Sequence, residues 1–175
     1  MYTRIISMRF ILMSILLGKY KVPNRYIPVG LVAADSLLQK KYLLRSRKLY
    51  KKGKYINRPM LRSFTSKASP HIRRATAIYG VDSMKPNADF AKATGCSQQA
   101  LKEIIRKGEG AYYSSGSRPN QTAQSWGYAR LGSALTGGPS SQIDYYILEK
   151  GCSKKSRPMR FANKTRKLQK KNLHP

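Results

Sequence analysis

The chain has 175 residues, 35 of them Lys or Arg against seven Asp or Glu, for a formal net charge of +28. One domain with extensions is the expectation at that length. The charge weighs against a compact body left to itself. Like charges in such number repel unless they are spread out or met by a polyanion: nucleic acid, an anionic lipid surface or an acidic protein face.

The charge is unevenly placed: residues 1–81 carry +17, residues 82–152 only +2, and residues 153–175 carry +9. A nearly neutral centre thus lies between two basic arms, which read either as partner-binding arms or as solvated tails. In chain order, "IISMRFILMSILL" (5–17) comes first, 13 mostly apolar residues interrupted by Arg9. A spanning helix needs roughly 20, and no small-residue cleavage site follows. The segment reads as one that lies in a membrane interface, docks on a partner or has little consequence. Pro23 and Pro28 then favour extended chain. "DSLLQKKYLLRSRKLYKKG" (35–53) predicts a helix capped by Asp35 or Ser36, with Leu37, Leu38, Tyr42, Leu44 and Leu49 as its apolar stripe. Residues 54–69 read as extended, with Tyr55, Ile56, Met60, Leu61 and Phe64 spaced among basic and hydroxyl residues. Such a segment cannot bury itself. Tyr55, Leu61 and Phe64 are candidate anchors on the core or on neighbouring subunits, and Lys51, Lys52 and Lys54 are candidate contacts to acidic groups.

The centre, 69–152, predicts a small helical domain. Ser69 caps a helix with Pro70 at its first position and Gly80 at its stop. Asn87 caps "ADFAKAT", which Gly95 ends; Ser97 caps "QQALKEIIRKG", which Gly108 ends. Ala91, Gly95 and Leu101 have the spacing of a helix-turn-helix unit, which would offer Gln98, Gln99 and Lys102 to DNA. Any tight helical corner needs the same residues, and the near-neutral centre favours that structural reading.

"GAYYSSGSRPNQTAQSWGYARLGSALTGG" (110–138) holds three Tyr and the sole Trp, and no acid. Thr122 caps a helix whose apolar face includes Trp126, and a last helix follows in "QIDYYILEKGC". Tyr112, Tyr113, Arg118, Asn120, Gln121 and Trp126 are candidate partner- or anion-binding residues, since a Ser/Gly/Arg/Asn loop ahead of a helix can hold an anion through backbone N–H groups. The competing reading is that Arg118, Asn120, Gln121 and Thr122 satisfy backbone groups within the loop, and it is the favoured one.

Cys96 and Cys152 lie far apart, with only His71 and His174 as further ligand types, so no metal site is expected. A disulfide between the two cysteines is the open alternative, but nothing argues for an oxidising compartment, and free buried thiols are the favoured reading. No paired carboxylates sit near the 110–138 run, whose nearest acids are Glu109 and Asp144, and the sequence has no Walker loop or nucleophile elbow. No catalytic residues, no enzyme activity and no cofactor are expected.

The runs "SRKLYKKGKY", "SFTSKASPHIRRATAIYGV", "AKATGCSQQALKEIIRKGEGAYYSSGSRPNQTAQSWGYARLGSALTGG" and "DYYILEKGC" resemble successive motifs of an uncharacterised basic protein family of large double-stranded DNA viruses of algae and amoebae. The resemblance covers roughly residues 44–152 and is most specific through the 110–138 run. The apolar "VAADSLLQ" departs from the Lys-rich stretch expected there, and residues 1–19 and 153–175 lie outside it. It implies a viral setting and a virion component, and carries over no catalytic residues.

The expected architecture is mainly α: an N-terminal arm (1–68) of a short apolar segment, a basic helix and extended chain; a helical core (69–152); and a basic C-terminal tail (153–175). The leading function is a minor structural protein of a large DNA virus particle, whose arms link major and minor capsid proteins on the inner face of the capsid. Contact with an internal membrane through residues 5–17 belongs to the same picture. The alternative is a virion DNA-binding protein that condenses or packages the genome, with or without the helix-turn-helix unit.

Overall fold

A computed structural model describes residues 22–173. The apolar stretch 5–17, with the membrane contact expected of it, lies outside the described residues. Among those described there are eight α-helices and no strand, so the fold is mainly α. No described helix is long and apolar enough to cross a membrane.

Two units make up the chain: residues up to 66 together with 112–122, and residues 67–111 together with those from 123 onward. These boundaries differ from the expected arm, core and tail. The 112–122 segment joins the N-terminal part, and the basic C-terminal stretch contributes a helix to the second unit.

In the first unit a short 3-10 turn, Asn24–Tyr26, precedes α1, Ala33–Tyr50. The stripe that α1 buries is Gln39, Leu43 and Ser46, not the expected leucines, which are half-buried. Two polar residues can occupy a buried stripe because main-chain carbonyls meet them. Gln39 Nε2 donates to the Tyr26 and Ser117 carbonyls at 3.1 and 3.0 Å, and the Ser46 hydroxyl donates to the Tyr113 carbonyl at 3.2 Å. Between them Leu43 meets Gly116, where an added Cβ would stand 2.6 Å from Leu43 Cδ2. The N-cap position is Val32, without a side-chain bond. Asp35 accepts from the Ser63 hydroxyl and amide at 2.6 and 3.0 Å, and these bonds hold its carboxyl below the usual carboxylate range.

The second unit holds α2 (Pro70–Tyr79), α3 (Ala88–Thr94), α4 (Gln98–Ser114), α5 (Ala123–Leu135), α6 (Ser140–Ile143), α7 (Tyr145–Gly151) and α8 (Arg157–Leu173), although the last three residues of α4 belong to the first. Helix starts and stops follow local chemistry. The Asn87 side chain accepts from the Phe90 amide at 2.8 Å, Ser97 Oγ accepts from the Ala100 amide at 3.2 Å, and Gly80 and Gly95 end their helices at φ of 63° and 68°. Helix α5 is the centre, packing on α2, α6 and α8. Its Leu131, Ala134 and Leu135 are fully buried with Leu101 and Ile104 of α4 and Leu148 of α7. Each such leucine contributes about 2 kcal/mol by leaving water.

Glycine allows the helices to approach closely. A Cβ on Gly108 would lie 2.6 Å from Gly127 Cα, and one on Gly132 would lie 2.6 Å from the His71 carbonyl oxygen. Gly108 is therefore a contact point inside α4, not the stop the sequence suggested. The helix runs on six residues further, to Ser114. The expected last helix is broken at Asp144 into α6 and α7. Where a tail was expected, α8 buries Pro158, Met159 and Ala162 while exposing its basic face.

Cys96 and Cys152 form a disulfide, correcting the reading of free thiols. They stand opposite each other as an isolated antiparallel bridge, flanked by the Ser97 amide donating to Gly151 O at 2.7 Å and the Ser153 amide donating to Gly95 O at 2.8 Å. Folding thus pairs two residues 56 positions apart.

Gly108→Ala tests the close crossing of α4 and α5. Helix propensity alone favours Ala by about 1 kcal/mol, but the new methyl meets backbone that cannot rotate away, and the net cost should be about 2–3 kcal/mol. Gly80→Ala has open space and a positive φ, and should cost only about 1 kcal/mol. Urea melts of both variants give the comparison; a neutral or stabilising Gly108→Ala would mean the crossing is looser than described.

Candidate functional site

The 112–122 segment is held from below by side chains of α1 and from the side by the extended chain after it. A helix ends with carbonyls that lack amide partners, and the end of α4 is served by donors from elsewhere in the sequence. Arg58 donates to Tyr112 O at 2.9 Å and to Ser117 Oγ at 2.6 Å. Its guanidinium lies 3.6 Å from the centroid of the Tyr112 ring, whose hydroxyl accepts from the Arg58 amide at 3.3 Å. Arg47 donates to Ser115 O at 2.6 Å, while its Nε is buried without a partner among the described residues.

No carboxylate neutralises Arg58 among the described residues. Burial lowers its pKa, and the nearby Arg47 charge acts the same way, but guanidinium starts so high that it stays protonated. Carbonyl dipoles at a helix C-terminus and the face of an aromatic ring stand in for a counter-ion. Asn120 completes the attachment. At φ 56° its side chain accepts from the Leu61 amide at 2.7 Å and donates to the Leu61 carbonyl at 3.0 Å and to the Phe64 carbonyl. It acts as a one-residue strand beside the 61–64 chain, and Asn tolerates the left-handed backbone that this requires.

The residues singled out from sequence therefore part company. Tyr112 is buried beneath Arg58, and Tyr113 is half-buried with its ring centroid 5.0 Å from Tyr112 and 5.2 Å from Tyr55. Leu61 is buried and Phe64 half-buried within the unit's own structure, while Tyr55 stays largely exposed. The polar atoms of Asn120 are consumed by backbone, but by that of Leu61 and Phe64 and not, as the competing reading had it, by groups within its own loop. Arg118 is exposed and Gln121 half-buried. Trp126 sits half-buried in α5, in the other unit. Lys51, Lys52 and Lys54 are exposed. Arg58, Arg47, Ser46 and Gln39, the residues that grip the segment, were missed. The only signal was the polar i, i+4, i+7 spacing of Gln39 and Ser46 about Leu43.

Counter-charge inside the second unit is concentrated at one carboxylate. Asp144 is fully buried, with Arg130 Nε 2.7 Å from Oδ2, Arg130 Nη2 2.8 Å from Oδ1, and Lys107 Nζ 3.1 Å from Oδ1. Burial works to lower the Lys107 pKa, but hydrogen bonds to Tyr146 and Asp144 and the Asp144 charge outweigh it and hold it above the ordinary lysine value. Both ion pairs among the described residues end on Asp144. Two helices carry exposed cations in stripes. Lys41, Arg45 and Lys48 line the exposed face of α1, and Arg160, Lys164 and Lys167 that of α8. The residues of each stripe are three or four apart, hence about 5–6 Å from one another along one face. Over its length α8 has seven Lys or Arg and no acid. No cluster of His, Cys, Asp or Glu among the described residues is placed to hold a metal ion.

A family described as being of unknown function, DUF5824, matches residues 23–142, a span that takes in α1, Arg58, the gripped segment and α5. The chain belongs to this family. Helices α7 and α8 lie beyond the matched span of the DUF5824 family. No curated protein and no solved structure matches the chain.

Arg58→Lys keeps the charge and loses the planar fork. It should cost about 2 kcal/mol, because Lys cannot serve Tyr112 O and Ser117 Oγ together. Amide exchange across 112–120 should accelerate roughly tenfold or more. Unchanged protection there would show that Arg58 does not hold the segment.

Proposed function

We propose that the protein binds nucleic acid without regard to sequence, neutralising phosphates with the cationic stripes of α1 and α8, and that it does so as a DNA-binding component of a virion. The observation that carries this reading is α8, with its seven cations and no acid, anchored by Met159 and Ala162 so that Arg160, Lys164 and Lys167 share one exposed face. A solvated tail has no need of such a face, whereas a phosphate backbone is met efficiently by cations held at regular spacing. The viral setting rests on the sequence resemblance alone.

The capsid-linking reading is supported by a different observation. Val29, Val32 and Met60 of the first unit are exposed apolar residues, suited to burial against another protein such as a major or minor capsid protein at the inner face of a shell. It draws less support from the extended chain. Leu61 and Phe64, expected to bury against the core or neighbouring capsid subunits, are occupied within their own unit.

Anisotropy titrations of the full chain on random-sequence duplex DNA across a salt series test the proposal. The log–log plot should be linear, and neutralising Arg160, Lys164 and Lys167 to Gln together should reduce its slope by roughly 2–3 and weaken binding to every sequence alike. Equal slopes for the variant and the wild type would remove α8 from the interface. Retention on DNA-free capsid shells at salt that abolishes DNA binding would favour the capsid reading.

A further inference from the structure

The corner between α3 and α4 has an exposed face that phosphate neutralisation leaves unexplained. Three residues, Gly95, Cys96 and Ser97, separate the two helices, the turn length of a helix-turn-helix unit. One side of α4 is buried in the core through Ala100, Leu101, Ile104 and Ile105. The other side exposes Gln98, Gln99, Lys102 and Arg106, aligned over the first two to three turns of the helix. These are amide and cationic side chains of the kind that bond purine edges bidentately: Gln to adenine, and Lys or Arg to guanine. Glu103, the acid of this segment, is only half-exposed.

The second observation concerns what flanks the turn. The 151–156 chain is fastened to it three times: by the Cys96–Cys152 disulfide, by the Ser97 amide on Gly151 O, and by the Ser153 amide on Gly95 O. It runs so close that a Cβ on Gly95 would lie 3.1 Å from Ser156 Cβ. That chain carries Lys154 and Lys155, both exposed. A base-reading helix needs backbone contacts beside it to fix its register on the duplex. Here two lysines are secured next to the N-terminal end of α4 by a covalent link and two hydrogen bonds.

We infer that α4 reads duplex DNA in the major groove, with Gln98, Gln99, Lys102 and Arg106 at base edges and Lys154 and Lys155 on the adjacent phosphates. This rests on the nucleic-acid reading proposed above and adds sequence preference to it. It reverses the structural reading of the corner that the near-neutral charge of the centre suggested. That charge is an average over 71 residues and does not describe the exposed face of α4, where Lys102 and Arg106 stand beside Gln98 and Gln99. The inference commits to B-form DNA, because the major groove of duplex RNA is too narrow for side chains to read.

Selection from a random duplex library by the full chain is the test, run with wild type, with Gln98→Ala/Gln99→Ala/Lys102→Ala, and with Lys154→Gln/Lys155→Gln. All five positions are exposed, and circular dichroism confirms folding of each variant. Wild type should enrich a short motif. The first variant should lose the motif, its preference for that site over random duplex falling about tenfold or more, the discrimination of a bidentate base contact, while it still binds random duplex. The second should keep the motif, weaken on all sequences and lose about 2 from its salt slope. Enrichment of nothing by wild type, an unchanged motif in the first variant, or equal affinity for duplex RNA overturns the inference and leaves sequence-independent binding standing. Absence of any duplex binding by wild type overturns both.

Discussion

A chain with five times as many cations as acids cannot neutralise itself, and both units of the structure are organised by that constraint. Burying a lone charge is costly unless something nearby answers it. The second unit admits one buried carboxylate, Asp144, and gives it a two-pronged guanidinium and a lysine. The first unit has no acid to spare for Arg58, so the cation is answered by carbonyl oxygens and the Tyr112 ring. Most of the other described cations are exposed, those of α1 and α8 along one helix face, where water screens them and a polyanion can reach them.

The first unit is consequently held by polar attachment as much as by apolar packing. Gln39 and Ser46 lie on the buried stripe of α1, Arg58 and Arg47 reach the end of α4, and Asn120 ties down Leu61 and Phe64. In each case a side chain bonds main-chain groups that no regular element would satisfy. This explains why a turn-rich segment free of acids occurs in so basic a chain. Its carbonyls are the acceptors, and carboxylates in their place would compete for the same guanidinium groups. The second unit depends instead on close helix contacts, with Gly108 against Gly127 and Gly132 against the backbone at His71.

Local signals were legible in the sequence. Asn87, Gly80 and Gly95 each marked a helix end through the chemistry of caps and left-handed stops, and the three-residue corner was visible in the Ala91, Gly95 and Leu101 spacing. What escaped was set by tertiary contact. Gly108 looked like a stop because sequence shows its missing side chain and not the helix that needs the space. In α1 the leucines outnumber the residues on the true buried stripe, which includes polar side chains whose partners come from residues 78 and 67 positions away. The last helix, α8, carries so few apolar residues that its basic composition hid Met159 and Ala162. For the gripped segment, the favoured reading kept its polar side chains on backbone within the loop, whereas Asn120 is committed to the backbone of Leu61 and Phe64, which no local signal could show. Arg58, isolated between Asn57 and Pro59, gave no sign of its role.

Lysine acylation footprinting of the free protein and of its complex with duplex DNA tests the central claim most directly, that cations without an internal counter-charge are the ones that meet the polyanion. Lys164 and Lys167 on α8 and Lys41 and Lys48 on α1 should become strongly protected in the complex. Lys107, already engaged by Asp144 and Tyr146, should keep the same reactivity in both states. Protection spread evenly over all lysines, or none at the α1 and α8 stripes, would contradict the account.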